Sequence, residues 1–405
     1  MKDNQTKFKE TEIGTIPEEW SFDVLEKHAD ILMGQSPESI FYNQSGRGVV
    51  FMQGIRTFGE KFPIYDTWTT NVTKLAKNGS VLLSVRAPVG EVNIATQDLC
   101  IGRGLMAING KNNEFLFQLL KAFKDYIVGK ETGTVYGSVT KDDIARIKLP
   151  FPSEREQTQI AEILSSFDDK IELNRKMNEN LEKIASALFK HWFVDFEFPD
   201  KNGKPYKSSG GKMVESELGE IPEDWKLGTF GEAITNFDSN RIPLSGEERE
   251  YGIYPYYGAT SIMEYVENYI FDGTYVLLGE DGSVAKEDGK PFVQYVSGKI
   301  WVNNHAHVLQ GRNGFSTEYL KVFLDQIYIM PFVTGAVQPK LNQANMNRIP
   351  MIIPDEKILT RFDEVLSVFF GMILENESQI KNLEVSRDSL LPRLMGGKIR
   401  ANKTI

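Results

Sequence analysis

Ile13-Gly14-Thr15-Ile16-Pro17-Glu18-Glu19-Trp20 stands near the start of the chain, and Leu218-Gly219-Glu220-Ile221-Pro222-Glu223-Asp224-Trp225 stands just past its middle. The shift is 205 positions in a chain of 405. A second pair of blocks follows: Asp143-Ile144-Ala145-Arg146-Ile147 with Pro152, against Asn345-Met346-Asn347-Arg348-Ile349 with Pro354, shifted by 202. From Glu154 and Glu356 onward twelve of forty aligned positions are identical, including Thr158/Thr360, Leu164/Leu366, Phe167/Phe369, Ile171/Ile373 and Asn174/Asn376. Self-similarity at nearly one offset, over three blocks in the same order, marks a duplicated plan. Each copy runs G-x-I-P-x-x-W, then a segment of about 130 residues, then one long helix. The middle segments, 21–142 and 226–344, hardly resemble each other beyond Val81-Leu82-Leu83 against Val276-Leu277-Leu278. The frame repeats while its contents differ.

The two helices are read from heptads. Ile160, Phe167, Asn174, Leu181 and Leu188 fall seven apart, with Leu164, Ile171, Asn178, Ala185 and Trp192 four residues after each. In the second copy Phe362, Phe369, Asn376, Leu383 and Leu390 hold the first set, and Leu366, Ile373, Ile380, Arg387 and Leu394 the second. An apolar seam sustained this long predicts a coiled-coil pair. About forty residues at 1.5 Å each give a rod of roughly 60 Å. Pro392 is expected to kink or end the second helix, with Gly396-Gly397 as the stop. Asn174 and Asn376 both sit in the first set, where a polar residue costs stability and fixes register. If a pseudo-twofold axis crosses the rod, the helices run antiparallel and the two amides face each other near their midpoints.

The middle segments are β-rich. Val81-Leu82-Leu83-Ser84-Val85, Thr274-Tyr275-Val276-Leu277-Leu278 and Ile300-Trp301-Val302 read as strands bounded by glycines, and Asn113 to Tyr126 and Ser316 to Tyr328 as amphipathic helices. The chain therefore divides into 1–153, a helix over 154–197, a polar linker over 198–217, 218–353, and a helix and tail over 354–405. The fold class is α+β: two mixed α/β domains separated by two long helices that form an antiparallel coiled coil.

Composition excludes several functions. No run of eighteen apolar residues is present, so no membrane span is predicted. MKDNQTKFKE is too polar for a secretory signal, and a single cysteine, Cys100, allows neither an internal disulfide nor a thiolate zinc cluster. A cytoplasmic location is expected. The net charge is −10, which argues against bulk coating of nucleic acid, although only a contacting face must be basic. Residues 21–153 carry 15 basic and 13 acidic side chains, against 10 and 14 over 226–353, so charge alone decides nothing.

Catalytic motifs are missing. Gly210-Gly211-Lys212 and Gly396-Gly397-Lys398 lack the upstream glycine of a phosphate loop, and neither H-E-x-x-H nor G-x-S-x-G occurs. His305 and His307 could place two imidazoles on one strand face, but no third metal ligand stands nearby in sequence, and ordinary polar positions are the plainer reading. No catalytic residue and no metal site is assigned.

The two Gly-x-Ile-Pro-x-x-Trp blocks, Ala187-Leu188-Phe189-Lys190-His191-Trp192-Phe193-Val194-Asp195-Phe196, and Leu390-Leu391-Pro392-Arg393-Leu394-Met395-Gly396-Gly397-Lys398-Ile399-Arg400 together closely resemble the specificity (S) subunit of type I restriction-modification systems. The likeness covers the whole chain. It implies two target recognition domains, each reading half of a split site on double-stranded DNA, held apart by helical spacers. It implies separate modification (methyltransferase) and restriction (endonuclease and translocase) subunits as partners, with S-adenosylmethionine, ATP and magnesium belonging to them and no cofactor in this chain. Two rival classes are an enzyme such as a β-rich hydrolase, for which no convergent triad is visible, and a scaffold or glycan-binding protein using Tyr251, Tyr254, Tyr256 and Tyr257.

Contact residues are chosen by chemistry. The loops 133–141 and 335–342 end just before each spacer helix, and Tyr136, Ser138, Lys141, Lys340 and Asn342 there suit phosphate contacts. Base readers are expected among Arg47, Arg56, Arg86 and Arg103 in the first domain, and Arg241, Lys286 and Asn304 in the second.

Overall fold

In the computed structural model, which describes residues 7–129, 137–249, 251–335 and 337–401, the chain forms two compact units. One comprises Met1–Leu173 with Gln379–Ile405, the other Asn174–Ser378. Four helices organise them: α1 (Asn113–Ala122), α2 (Glu154–Phe189), α3 (Thr317–Leu324) and α4 (Glu356–Met395). The first unit holds α1, the start of α2 and the end of α4; the second holds α3, the end of α2 and the start of α4.

The repeated Gly-x-Ile-Pro-x-x-Trp block builds the same device twice. Gly14–Pro17 pairs antiparallel with Phe8–Thr11, and Gly219–Pro222 pairs with Met213–Ser216. Each hairpin turns on its glycine, at φ +104° for Gly14 and +94° for Gly219, a conformation that side chains with a Cβ rarely adopt. The next strand, Ser21–Val24 or Lys226–Thr229, pairs with the strand that enters the long helix, Lys148–Phe151 or Pro350–Ile353. Trp20 and Trp225 are left buried between these elements.

What covers each tryptophan comes from the other copy. Leu391, Leu394 and Met395 of α4 share a core with Ile16, Trp20, Ile160 and Leu164. The Trp20 indole donates to Glu156 Oε2 at 3.1 Å, and Arg400 clamps the same carboxylate at 2.7 and 2.8 Å. In the second unit α2 passes into a π-turn over Lys190–Val194, and Phe193, Phe196 and Phe198 enclose Trp225. Each sequence block thus closes on the matched helix end of the opposite repeat.

The segments between differ, as their sequences do. The first unit has a four-stranded antiparallel sheet in the order Val92–Ile94, Val81–Ser84, Leu105–Gly110, Ala29–Met33. Beside it lies a five-stranded sheet containing one parallel pair, Val49–Met52 with Leu99–Ile101. Alternation along the strands explains the layering. Val81, Leu83, Met106 and Ile108 face α1 and the long helices, while Leu82, Leu105 and Ala107 face Val50, Leu99 and Ile101 of the second sheet. Burial on both faces is why Val81-Leu82-Leu83 reads as an unbroken apolar run. The second unit has one six-stranded sheet, ordered Ile234–Asn236, Ala306–Gly311, Phe271–Gly279, Val293–Val302, Tyr251–Tyr257, Ile262–Val266. Val276, Leu278 and Leu309 face α3 and α4, and Leu277 and Val308 face the opposite cluster. Asn112 and Ser316 cap α1 and α3 by accepting the backbone N–H three residues on, so both helices start as expected; the first breaks at Phe123 and resumes over Lys124–Val128, which holds Tyr126, whereas α3 ends before Tyr328.

The long helices run antiparallel, and their seam follows the heptads with drift. Leu164, Ile171, Ala185 and Trp192 are buried, but Asp168 and Phe189 displace Phe167 and Leu188 from the interior. A straight helix of 3.6 residues per turn slips against a repeat of 3.5. Asn174 and Asn376 are both buried. Asn376 Nδ2 donates to Asn178 Oδ1 at 2.8 Å, one turn along α2 from Asn174. Two expectations are corrected. Pro392 lies inside α4 and does not end it; the helix stops at Met395, at the expected Gly396-Gly397, with Gly397 at φ +65°. The stretch 198–217 is folded and not a free linker: Phe198 stacks on Trp225 and Tyr206 at 4.8 and 4.5 Å, and Met213–Ser216 belongs to the hairpin.

Candidate nucleic-acid interface

In the first unit, Arg86 follows the strand Val81–Ser84 by two residues, and Arg103 lies in the turn between Leu99–Ile101 and Leu105–Gly110. Both are exposed and line one cleft of about 170 Å³ with Gln53, Gly54, Ile55, Ser84, Ala87 and Gly104. No acidic residue lines it among the described residues. Among the described residues, no ion pair or side-chain hydrogen bond holds either guanidinium.

The other basic candidates are engaged to different degrees. Arg56 borders a neighbouring cleft of about 230 Å³, and its guanidinium forks onto Asp66 at 2.8 and 2.7 Å. That hydrogen bonding holds the Asp66 carboxyl below the usual carboxylate range. Arg47 Nε donates to Ser45 Oγ at 3.1 Å in a turn organised by Asn43. Ser138 bridges the backbone of Arg86, which brings the end of the loop 133–141 beside that arginine. Lys141 is exposed and opens the short helix Lys141–Ala145, capped by Thr140 and Asp143. Tyr136 lies outside the described residues.

In the second unit the expectation for Arg241 is overturned. Its guanidinium is enclosed, bonded to Glu280 Oε2 at 2.7 Å and to the Ala306 carbonyl at 2.6 Å, with Asp238 Oδ2 at 3.5 Å. It neutralises an internal acidic pair and is not offered to a ligand. His307 completes the cluster, with Nδ1 2.5 Å from Asp238 Oδ2 and Nε2 2.7 Å from the Leu341 carbonyl. Burial pushes the Asp238 carboxyl up, but the His307 hydrogen bond and charge outweigh it, and the net shift is downward. Asp238, Glu280 and His307 lie close enough to ligate a metal ion, yet Arg241 already supplies the cation and each group has a protein partner. Neither this cluster nor Gln53 was foreseen from sequence. Asp238, Glu280 and His307 are scattered over 69 positions and carry no spacing signal.

The remaining candidates lie around this cluster. Lys340 is exposed, 3.8 Å from Glu280 Oε1, with its backbone paired to Thr334. Asn342 is committed to capping the helix Gln343–Asn347, its Oδ1 accepting from Asn345 N at 2.9 Å, so the side chain serves the fold. Lys286 and Asn304 are exposed in turns. The four tyrosines do not form one aromatic platform: Tyr251 is 94% exposed, Tyr256 is 1% exposed, and Tyr254 leans on Tyr269.

Comparison with known proteins agrees with this architecture. The family described as type I restriction modification DNA specificity domain matches residues 49–183 and 222–384. The chain is 27% identical to the type I restriction enzyme MjaIX specificity subunit of Methanocaldococcus jannaschii, over 98% of each chain. A putative type I restriction enzyme MjaX specificity subunit from the same organism is 44% identical over 45% of this chain and 44% of its own. In fold, the crystal structure of a type I restriction-modification S subunit from M. genitalium superposes with a TM-score of 0.56 at 17% identity, over 97% of each chain.

Proposed function

This chain belongs to the type I restriction-modification DNA specificity family, and on that premise we propose that its two units each read one half of a bipartite duplex site on behalf of partner subunits that do the chemistry. One observation carries the reading: a repeated frame, with its hairpin, tryptophan and long-helix halves, holds sheets of different topology in the two units. A duplicated mount with unlike contents suits two readers of unlike sequences on one duplex. Phosphate contacts come from exposed Lys141 and Lys340 and from the loops that carry them, which position the protein without specifying sequence. Methyl transfer with S-adenosylmethionine belongs to the modification subunits, and ATP- and magnesium-dependent cleavage to the restriction subunits, with no catalytic group supplied by this chain.

The test is a methylation map. The chain is co-expressed with its modification subunits in a host lacking other methylation, and modified positions are sequenced genome-wide. A split, asymmetric motif is expected. Replacing residues 21–142 with the equivalent segment of a relative should change one half of the motif and leave the other intact. A simultaneous change of both halves, or methyl transfer by the purified chain alone, refutes the proposal.

A further inference from the structure

Arg86 and Arg103 are mounted differently from a flexible phosphate contact. Arg103 stands between two glycines pressed onto the backbone of the neighbouring loop. A Cβ on Gly102 would lie 2.9 Å from Gln53 Cα and 2.9 Å from Ser36 Oγ, and one on Gly104 would meet the Gln53 carbonyl oxygen at 2.3 Å. The backbone donors of this turn are all committed: Gly102 N to the Met52 carbonyl at 2.7 Å, Arg103 N to Ser36 Oγ at 3.1 Å, Gly104 N to the Gln53 carbonyl at 3.1 Å. Arg86 is tied to the same platform. The residue before it, Val85, donates to the Gly104 carbonyl at 3.0 Å and accepts from Val139 N at 3.1 Å. Two guanidiniums with fixed origins, and with no acidic partner among the described residues, therefore converge on one cleft whose other polar side chains are Gln53 and Ser84.

The fixed backbone mount is the informative feature. A phosphate oxygen asks only for positive charge, which a mobile lysine supplies, whereas reading a base edge calls for a planar donor fork that starts from a fixed point. Arginine meets guanine O6 and N7 in two parallel hydrogen bonds, and Gln meets adenine N6 and N7 in the same way. We infer that Arg86 and Arg103 are base-reading residues of the first unit and that the half-site it reads contains guanine contacted by them. The inference rests on the DNA-reading role proposed above and specifies which residues carry it out and on which base.

The experiment is selection from a pool of randomised DNA duplexes by the chain assembled with its modification subunits, sequenced for wild type and variants and repeated at several salt concentrations. Wild type should select a bipartite motif with guanine in at least one half. Arg103→Ala and Arg86→Ala should each lose guanine preference at a position of that same half by roughly ten- to hundredfold, with the other half unchanged. Arg103→Lys and Arg86→Lys keep the charge and should keep the salt dependence, yet lose the guanine preference. The inference falls if the lysine variants select like wild type, or if neither half contains guanine. It also falls if the alanine variants weaken all sequences alike while lowering the salt slope by about one. Those results leave the proposed function standing, whereas failure of the wild-type assembly to select any split motif removes both. Should an alanine variant fail to fold, the lysine variant carries the same comparison.

Discussion

Arg387 occupies a seam position of α4 where Leu366, Ile373 and Leu394 stand in other turns, and its removal should be among the costliest single changes in the first unit. Its Nη1 lies 2.9 Å from Asp168 Oδ1, with the two side chains 6% and 4% exposed. The second Asp168 oxygen accepts from Gln118 Nε2 of α1 at 2.6 Å. In Arg387→Leu the Asp168 carboxylate stays buried without its cation, a loss of about 3–5 kcal/mol for pairs of this kind. The unit contains about 200 residues. At about 2–4 °C per kcal/mol for that size, its unfolding midpoint should fall by roughly 6–20 °C. The double variant Asp168→Asn with Arg387→Leu removes both charges while retaining an acceptor for Gln118. It should recover most of that loss, because replacing a buried ion pair with neutral groups is often close to neutral. Scanning calorimetry of the four members of this cycle gives the coupling directly. A midpoint within about 2 °C of wild type for Arg387→Leu, or a double variant as unstable as the sum of the singles, would refute the reasoning.

Asp363 of α4 accepts from Ser316 Oγ at 2.6 Å, beside the start of α3, and burial pushes its carboxyl from 3.8 up to about 6. A carboxyl raised on folding favours the folded state fully below the unfolded value, and that contribution is lost as pH rises through about 6. Asp363→Asn should therefore gain stability relative to wild type between pH 5 and pH 8, and urea midpoints with a constant gap across that range would exclude it. The Asn178–Asn376 pair predicts that Asn376→Leu alone costs about 1 kcal/mol by removing the donor to the half-buried Asn178 amide oxygen. The double substitution with Asn178→Leu should raise thermal stability while loosening helix register, read by disulfide trapping at offset positions; trapping confined to the native register would count against it. Gly397 sits at φ +65° with its Cβ position 2.4 Å from Pro17 Cδ. Gly397→Ala should cost about 1–3 kcal/mol, seen as earlier unfolding of the first unit, and an unchanged denaturation curve would show that the helix end is free to move.

The duplication, the two long helices, the strands at Val81 and Thr274 and the start of α3 were legible in the sequence, because periodicity and capping are local. A heptad or an N-cap is written within a few residues of where it acts. The exchange of helix ends between repeats was not legible, since Trp20 shares a core with Leu394 and Trp225 meets Phe198 through packing that the apolar blocks permit without specifying which partner they choose. Polarity made 198–217 read as a linker, yet Phe198 and Tyr206 stack in series on Trp225, and backbone hydrogen bonds such as Tyr206 N to the Phe198 carbonyl fold the segment around them. The site shows the limit most plainly. Arg56, Arg103 and Arg241 are alike as letters and were equal candidates. Their fates are set by Asp66 ten residues on, by a loop at Gln53, and by Glu280 and Ala306 as far as 65 residues away. Charge, burial and freedom at a side chain depend on what the fold brings within about 4 Å of it, and no local pattern of sequence carries that distance.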